Sequence, residues 1–275
     1  MTTSLPRIAI VGAGSMGGAI LSGLLDPSVT VSGGIRVTNR TEAKAAVVRS
    51  EGVESFALEN TPDGNARAVK GAKVVMLGVK PAMIPDTLTD LKPFLEPDAI
   101  VISVAAGVTT ARMEAIVDNV VLRAMPNTPA IVGKAVTGLS AGSRATDDDL
   151  AIGRAVFETV GTVVETPESQ IDALSTISGS GPAYVFYFIE EFTRTAIDMG
   201  FTPEQALTLV AGTFDGSLAL LAASESSPEQ LRKQVTSPKG TTERAVEQFQ
   251  AADLKSIFDK ATGAALARAK ELAAG

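Results

Sequence analysis

Two stretches of this sequence hold residue types whose spacing could do chemistry. The first is "RIAIVGAGSMGGAI", where a short apolar run leads through Gly12-x-Gly14-x-x-Gly17 into a helical pattern. In a strand–turn–helix setting, Gly12 allows a tight turn, Gly14 lets the main chain approach a pyrophosphate, and Gly17 lets the helix pack close to the sheet. The helix start, at Ser15 and Met16, then offers free N–H groups and positive dipole to phosphates. The second stretch is "QVTSPKGTTERA", residues 234–245. It gathers Thr236, Ser237, Thr241 and Thr242 around Pro238 and Gly240, between two helical segments. A capped helix–helix connection accounts for the Pro and the Gly; an anion cradle accounts for the hydroxyls as well. The residues alone leave both readings open.

Other chemistries are missing. The chain has no His and no Cys, so it lacks disulfides, thiol nucleophiles, the usual general base and the usual zinc ligands. No carboxylate pattern for a metal stands out, and none is expected. The net charge of −7 and the lack of a basic stripe argue against a nucleic-acid partner. The beginning "MTTSLPRIAIVG" carries no basic leader before an apolar region. The longest apolar-leaning run, near 99–108, is well short of the ~20 residues that cross a bilayer. A soluble cytoplasmic protein without a membrane partner is expected.

The two active stretches must be positioned by elements of two kinds. Up to about residue 166, short β-rich runs alternate with helical ones: 7–11, 35–39, 73–79, 99–105 and 120–125, with weaker runs at 136–141 and 162–166. Nearly continuous apolar strands separated by helices predict a parallel sheet covered on both faces. From Pro167 on, the pattern is helical. "AYVFYFIEEFTRTAIDMG" sets Phe188, Phe192, Ala196 and Met199 at helical spacing and ends at Gly200. "TPEQ" (202–205) and "SPEQ" (227–230) each place a hydroxyl, a Pro and a Gln where a helix begins. A last helix from about Leu254 aligns Ile257, Phe258, Ala261 and Ala265. So much apolar helix surface predicts a homodimer. The expected domains are 1–166 and 167–275.

The second strand discriminates the cofactor. An NAD site usually ends it with an acid for the ribose 2′-hydroxyl, but here it ends in Asn39 and Arg40. A guanidinium suits a 2′-phosphate, which favours NADP(H). Gly78-Val79-Lys80-Pro81 and Ser103-Val104-Ala105-Ala106-Gly107 follow the third and fourth strands, at the edge where such sheets bind ligands. "MPNTP" (125–129) follows the fifth, with Asn127 in reach of a nicotinamide amide. "SGSGPAY" (178–184) predicts a helix starting with Pro182 in its first position, its glycines allowing close backbone approach. Tyr184 reads as a core aromatic.

"GAGSMGGAI", "NRT", "GVKP", "SVAAGV", "RAMPNTPA", "SGSGPAYVF" and "VTSPKGTT", in that order along nearly the whole chain, resemble the pyrroline-5-carboxylate reductase family. The last three are the most specific. The resemblance implies an α/β chain: an N-terminal Rossmann-type parallel-sheet domain, then an all-helical domain that dimerises and assembles further into a decamer. It implies reduction of Δ1-pyrroline-5-carboxylate to L-proline with NADPH or NADH. It implies cofactor contacts from the Gly-rich turn, Asn39, Arg40, Asn65, the segment through Val79, Lys80 and Pro81, and Val104, Ala105 and Ala106. It also implies that Thr242 hydrogen-bonds the ring nitrogen of the imine. With that substrate, the N–H groups of Gly240, Thr241 and Thr242 form a carboxylate cradle, and Ser237 adds a hydroxyl.

One residue departs from the family pattern: Lys239 stands where the loop usually carries Gly. If the position needs a positive φ, a side chain there costs roughly 1–2 kcal/mol. Two rivals are set against this reading. A β-hydroxyacid reductase usually carries a catalytic Lys on its first interdomain helix, and "SGSGPAYVFYFIEEF" has none. A non-catalytic NADP-binding sensor would have no use for the hydroxyl-rich loop.

Overall fold

The computed structural model describes residues 3–274. They form two compact units: one runs to Ser180 and takes in the chain from Ala265 on, the other is Gly181–Ala264. The strands are β1 (Thr3–Leu5), β2 (Ile8–Val11), β3 (Val29–Val31), β4 (Ile35–Asn39), β5 (Val53–Ala57), β6 (Val74–Leu77), β7 (Ile100–Ser103), β8 (Val120–Met125), β9 (Ala135–Ala141) and β10 (Gly161–Glu165). The first unit's helices are α1 (Ser15–Leu24), α2 (Glu42–Val47), α3 (Gly64–Val69), α4 (Ile84–Leu91), α5 (Thr110–Glu114), α6 (Asp147–Glu158) and α7 (Glu168–Leu174). After them come α8 (Gly181–Asp198), α9 (Pro203–Ala223), α10 (Pro228–Gln234), α11 (Thr241–Ala251) and α12 (Leu254–Ala274).

The main sheet runs β10-β9-β8-β7-β6-β2-β4-β5. From β5 to β8 all pairs are parallel, and the chain leaves β2 first toward β4 and later toward β6. That reversal beside β2 is the topological switch point of a dinucleotide-binding sheet. Its central strands β2, β6 and β7 are buried throughout because both faces are covered. Ile8, Ile10, Met76 and Ile102 pack with Ile20, Leu24 and Phe157 on one side. Ala9, Val11, Val75, Leu77 and Val101 pack with Val69, Leu88 and Leu91 on the other. Each such fully buried aliphatic side chain contributes about 1.5–3 kcal/mol.

The sequence pattern predicted a parallel sheet, but the sheet is not wholly parallel. β9 runs antiparallel to β8. The link across 126–134 is shorter than the roughly dozen residues a parallel crossover takes. β5 escaped the sequence reading because it is a polar edge strand, in which Glu54 stands opposite Arg36 and pairs with it at 3.0 Å. The short pair β1–β3 is likewise too brief for a periodic signal.

The helix expected at Pro182 does open, at Gly181, with Pro182 in its first turn; the turn that precedes it was not expected. Residues Ser175–Gly179 form a π turn continuing from α7, with the Ser180 N–H bonded to the Ser175 carbonyl at 2.9 Å. The widened turn accommodates the proline, which has no N–H to give and whose ring crowds the preceding turn.

In the second unit both expected helix starts form. Thr202 with Gln205 and Ser227 with Gln230 make reciprocal caps, with Pro203 and Pro228 just inside. Phe188 meets Phe258 in a tilted pair at 6.0 Å. Within one chain, Phe186, Phe192, Met199, Leu207 and Leu218 remain exposed. The run at 99–108 is not the longest apolar one: α9 is long and apolar enough to cross a membrane, and only 11% of its apolar window is buried.

Candidate active site

The Gly-rich turn lies at the switch point, between β2 and α1. Gly12 has φ +85°, and a Cβ there would lie 2.8 Å from Val79 Cγ1. Its N–H and that of Ala13 donate to Thr38. A Cβ at Gly17 would lie 3.3 Å from the Gly12 carbonyl, so this glycine sets how closely α1 approaches the turn. A Cβ at Gly14, in contrast, would meet nothing within 4 Å. Gly14 therefore borders open space, and the first turn of α1 has no side-chain cap. The N–H groups of Ser15, Met16 and Gly17 are left for a ligand.

Asn39 and Arg40 follow at the end of β4. Asn39 is 4% exposed, yet its Nδ2 has no partner; neither has the buried Oδ1 of Asn65 on α3, which packs on β2 and β4. Unsatisfied buried amides are costly and rare. A donor and an acceptor left open here suit a dinucleotide's adenosine end, and the residues fit that group. Arg40 is exposed and makes no ion pair among the described residues. Nearby Arg49 is already committed to Glu42, and that hydrogen bond holds the Glu42 carboxyl below the usual carboxylate range.

Val79, Lys80 and Pro81 follow β6. Val104, Ala105 and Ala106 follow β7, with the Ala105 N–H held by Ser103 Oγ at 3.2 Å. These loops border a cavity of about 470 Å³, lined also by Gly107, Arg112, Arg123, Met125 and Asp172. Asn127 is buried and does structural work: Nδ2 donates to the Ser178 carbonyl, and Oδ1 accepts the Val136 N–H, both at 2.9 Å. One amide hydrogen and one lone pair remain. Arg123, Glu168 and Asp172 were missed in the sequence, although one signal was present: an Arg inside the apolar strand "VVLRAM".

In the second unit, α11 begins after Gly240, with no side-chain cap. A Cβ at Gly240 would lie 2.9 Å from the Ser237 carbonyl, and the Gly240 N–H donates to that same oxygen at 3.0 Å. Gly240 therefore shapes the turn, while the unengaged N–H groups at the start of α11 are those of Thr241, Thr242 and Glu243. Ser237, Thr241 and Thr242 are exposed. Lys239 has φ +63°. The position does take up the left-handed conformation that Gly favours.

A family model described as pyrroline-5-carboxylate reductase dimerisation matches residues 168–272. One described as NADP oxidoreductase, coenzyme F420-dependent, matches 7–107. The chain is 36% identical to a pyrroline-5-carboxylate reductase of Pseudomonas aeruginosa, spanning 98% of each. It is 34% identical to one of Corynebacterium melassecola, spanning 98% of this chain and 99% of that one. A solved pyrroline-5-carboxylate reductase from Coxiella burnetii superposes with a TM-score of 0.89 at 36% identity, over 96% of this chain and 97% of the other.

Proposed function

This chain belongs to the pyrroline-5-carboxylate reductase family, and from that premise we propose how its own residues carry the reaction. It is an NADP(H)-dependent oxidoreductase that reduces Δ1-pyrroline-5-carboxylate to L-proline. The observation that carries this is the 36% identity held over 98% of both chains. The bound nicotinamide supplies the hydride that goes to the carbon of the C=N bond. The rest falls to binding and orientation.

Gly14 and the first turn of α1 take the pyrophosphate, Asn39 and Asn65 the adenosine end, and Arg40 the 2′-phosphate, which gives a preference for NADPH over NADH. The loops at 79–81 and 104–106 line the cofactor's path, and the spare amide hydrogen of Asn127 serves the nicotinamide carboxamide. The N–H groups of Thr241 and Thr242, at the positive end of α11, hold the substrate carboxylate, and Ser237 adds a hydroxyl. Thr242 Oγ1 hydrogen-bonds the ring nitrogen and fixes the ring against tumbling. A threonine hydroxyl is a poor acid, so its role is orientation; the proton is already on the imine or comes from water.

The chain self-associates through its dimerisation domain. We assign that role to the exposed apolar faces of α8 and α9, which would place α9 against a partner rather than in a membrane, and propose a decamer of five dimers as the final assembly. A chain without Cys suits the cytoplasm.

The test follows NADPH and NADH oxidation with pyrroline-5-carboxylate, with proline identified as product and mass measured in solution. Turnover favouring NADPH in a decamer supports the proposal. Tight NADPH binding without turnover would redirect it to another cyclic imine, with Lys239 as the first residue to revert.

A further inference from the structure

Arg123 is the one charged side chain buried among the described residues, at 3% exposure. It stands in β8, between Ser103 of β7 and Ser140 of β9. Its Nη2 pairs with Asp172 Oδ1 at 2.7 Å, and its Nη1 with Glu168 Oε1 at 3.5 Å. Glu168 reaches further, accepting both the N–H and the hydroxyl of Thr110 at 2.7 Å. One carboxylate therefore serves the first turn of α7 and the first turn of α5, where unpaired N–H groups favour negative charge.

The network ties together three pieces of one cavity wall. Thr110 ends the segment through Ala106 and Gly107. Arg123 lies two residues before Met125 and four before Asn127. Asp172 leads into the π turn, where Ser175 Oγ donates to the Asp172 carbonyl and the Ser178 carbonyl accepts from Asn127. Such a cluster is a poor device for stability alone, since apolar side chains of similar volume often hold a fold as well as a buried ion pair. Apolar side chains would not fix direction as the guanidinium fork does.

We infer that Arg123, acting through Asp172 and Glu168, is a positioning residue for the reduction: it sets the π turn 175–179 and the 105–108 loop against each other along the cavity. This rests on the function proposed above. The substrate carboxylate is assigned to a different loop, so loosening the network should lower kcat and spare KM for the imine.

The test uses the full chain carrying Asp172→Asn, which keeps shape and removes one charge, and Arg123→Lys, which keeps charge and loses the fork. Arg123→Met, which strands two carboxylates, serves only if it folds. Amide hydrogen exchange at 176–180 and 105–108 is measured beside steady-state kinetics. The expected result is exchange faster by roughly tenfold in those segments, with β6 and β7 unchanged. In the same variants kcat falls roughly 10- to 100-fold, less in Arg123→Lys, with KM for the imine preserved. A lowered melting temperature with wild-type exchange and wild-type kcat would overturn the inference, as would faster exchange at unchanged kcat. If the wild-type chain itself does not reduce pyrroline-5-carboxylate, the function proposed above fails, and the exchange comparison still decides whether Arg123 sets these segments.

Discussion

The main-chain N–H of Lys239 donates to the Glu243 carboxylate at 2.8 Å while Lys239 holds a φ of +63°. A side chain in that region costs about 1–2 kcal/mol, and the bond from the third residue of α11 back past Gly240 helps retain the turn. Lys239→Gly relieves the strain but adds freedom to the unfolded chain, worth roughly 0.5–1 kcal/mol against it. The expected outcome is a small net stabilisation, about 0.5–1 kcal/mol, read as a shift in the denaturation midpoint. Lys239 also places a cation beside the start of α11. Its loss should raise KM for the anionic imine at low salt, and the difference should shrink at high salt. A midpoint that falls would show that the side chain itself holds the loop.

Arg40 has no ion-pair partner among the described residues, while Arg49 is taken by Glu42. Arg40→Ala should weaken NADPH roughly tenfold, a charge-assisted bond discounted for an exposed site, and leave NADH nearly unchanged. Titration of cofactor fluorescence for both nucleotides checks this. Equal losses for the two would move the 2′-phosphate to another residue.

The sequence made the switch-point half of the fold legible because its signals are local. Gly12, Gly14 and Gly17 stand between a short apolar strand and a helix, a contiguous pattern that reads without knowledge of the distant residues, Thr38 and Val79, that Gly12 meets. The caps of α9 and α10 were readable for the same reason: Thr202 and Ser227 find their partners three residues on. The Arg123–Asp172 pair was not readable, because its members lie 49 positions apart and meet only after β8 and α7 pack. The antiparallel turn into β9 depended on a link length that residue patterns do not weigh. Phe192 lies on α8, while Met199 falls just past its end at Asp198. The apolar surface of these helices was expected to be shared with a second copy, and within a single chain Phe192 and Met199 stay exposed.

Gly78 has no room for a side chain. A Cβ there would lie 2.5 Å from the Gly12 carbonyl oxygen, a main-chain atom that cannot step aside cheaply. Gly78→Ala should destabilise the first unit by about 1–3 kcal/mol, as overpacking does, and displace the turn that faces the pyrophosphate. Calorimetry should show a lower melting temperature together with weaker binding of both NADPH and NADH. Unchanged affinity for both would separate this contact from the cofactor site.

Thr242 offers the sharpest division between anchoring and orientation, since its N–H and its hydroxyl are assigned different tasks. Thr242→Ala removes the hydroxyl but keeps the N–H at the start of α11. KM for the imine should therefore change little while kcat falls roughly 10- to 100-fold, the loss expected when a reacting ring is held in place but turned wrongly. Thr242→Ser restores the hydroxyl and should recover most of the turnover. Thr241→Ala, which leaves both main-chain donors in place, should stay near wild type in kcat. NADPH affinity should be the same in all three. Steady-state kinetics with varied imine at saturating NADPH separates the parameters. A kcat for Thr242→Ala equal to that of the wild type would remove Thr242 from the chemistry and leave it as the second residue of a helix that merely binds an anion.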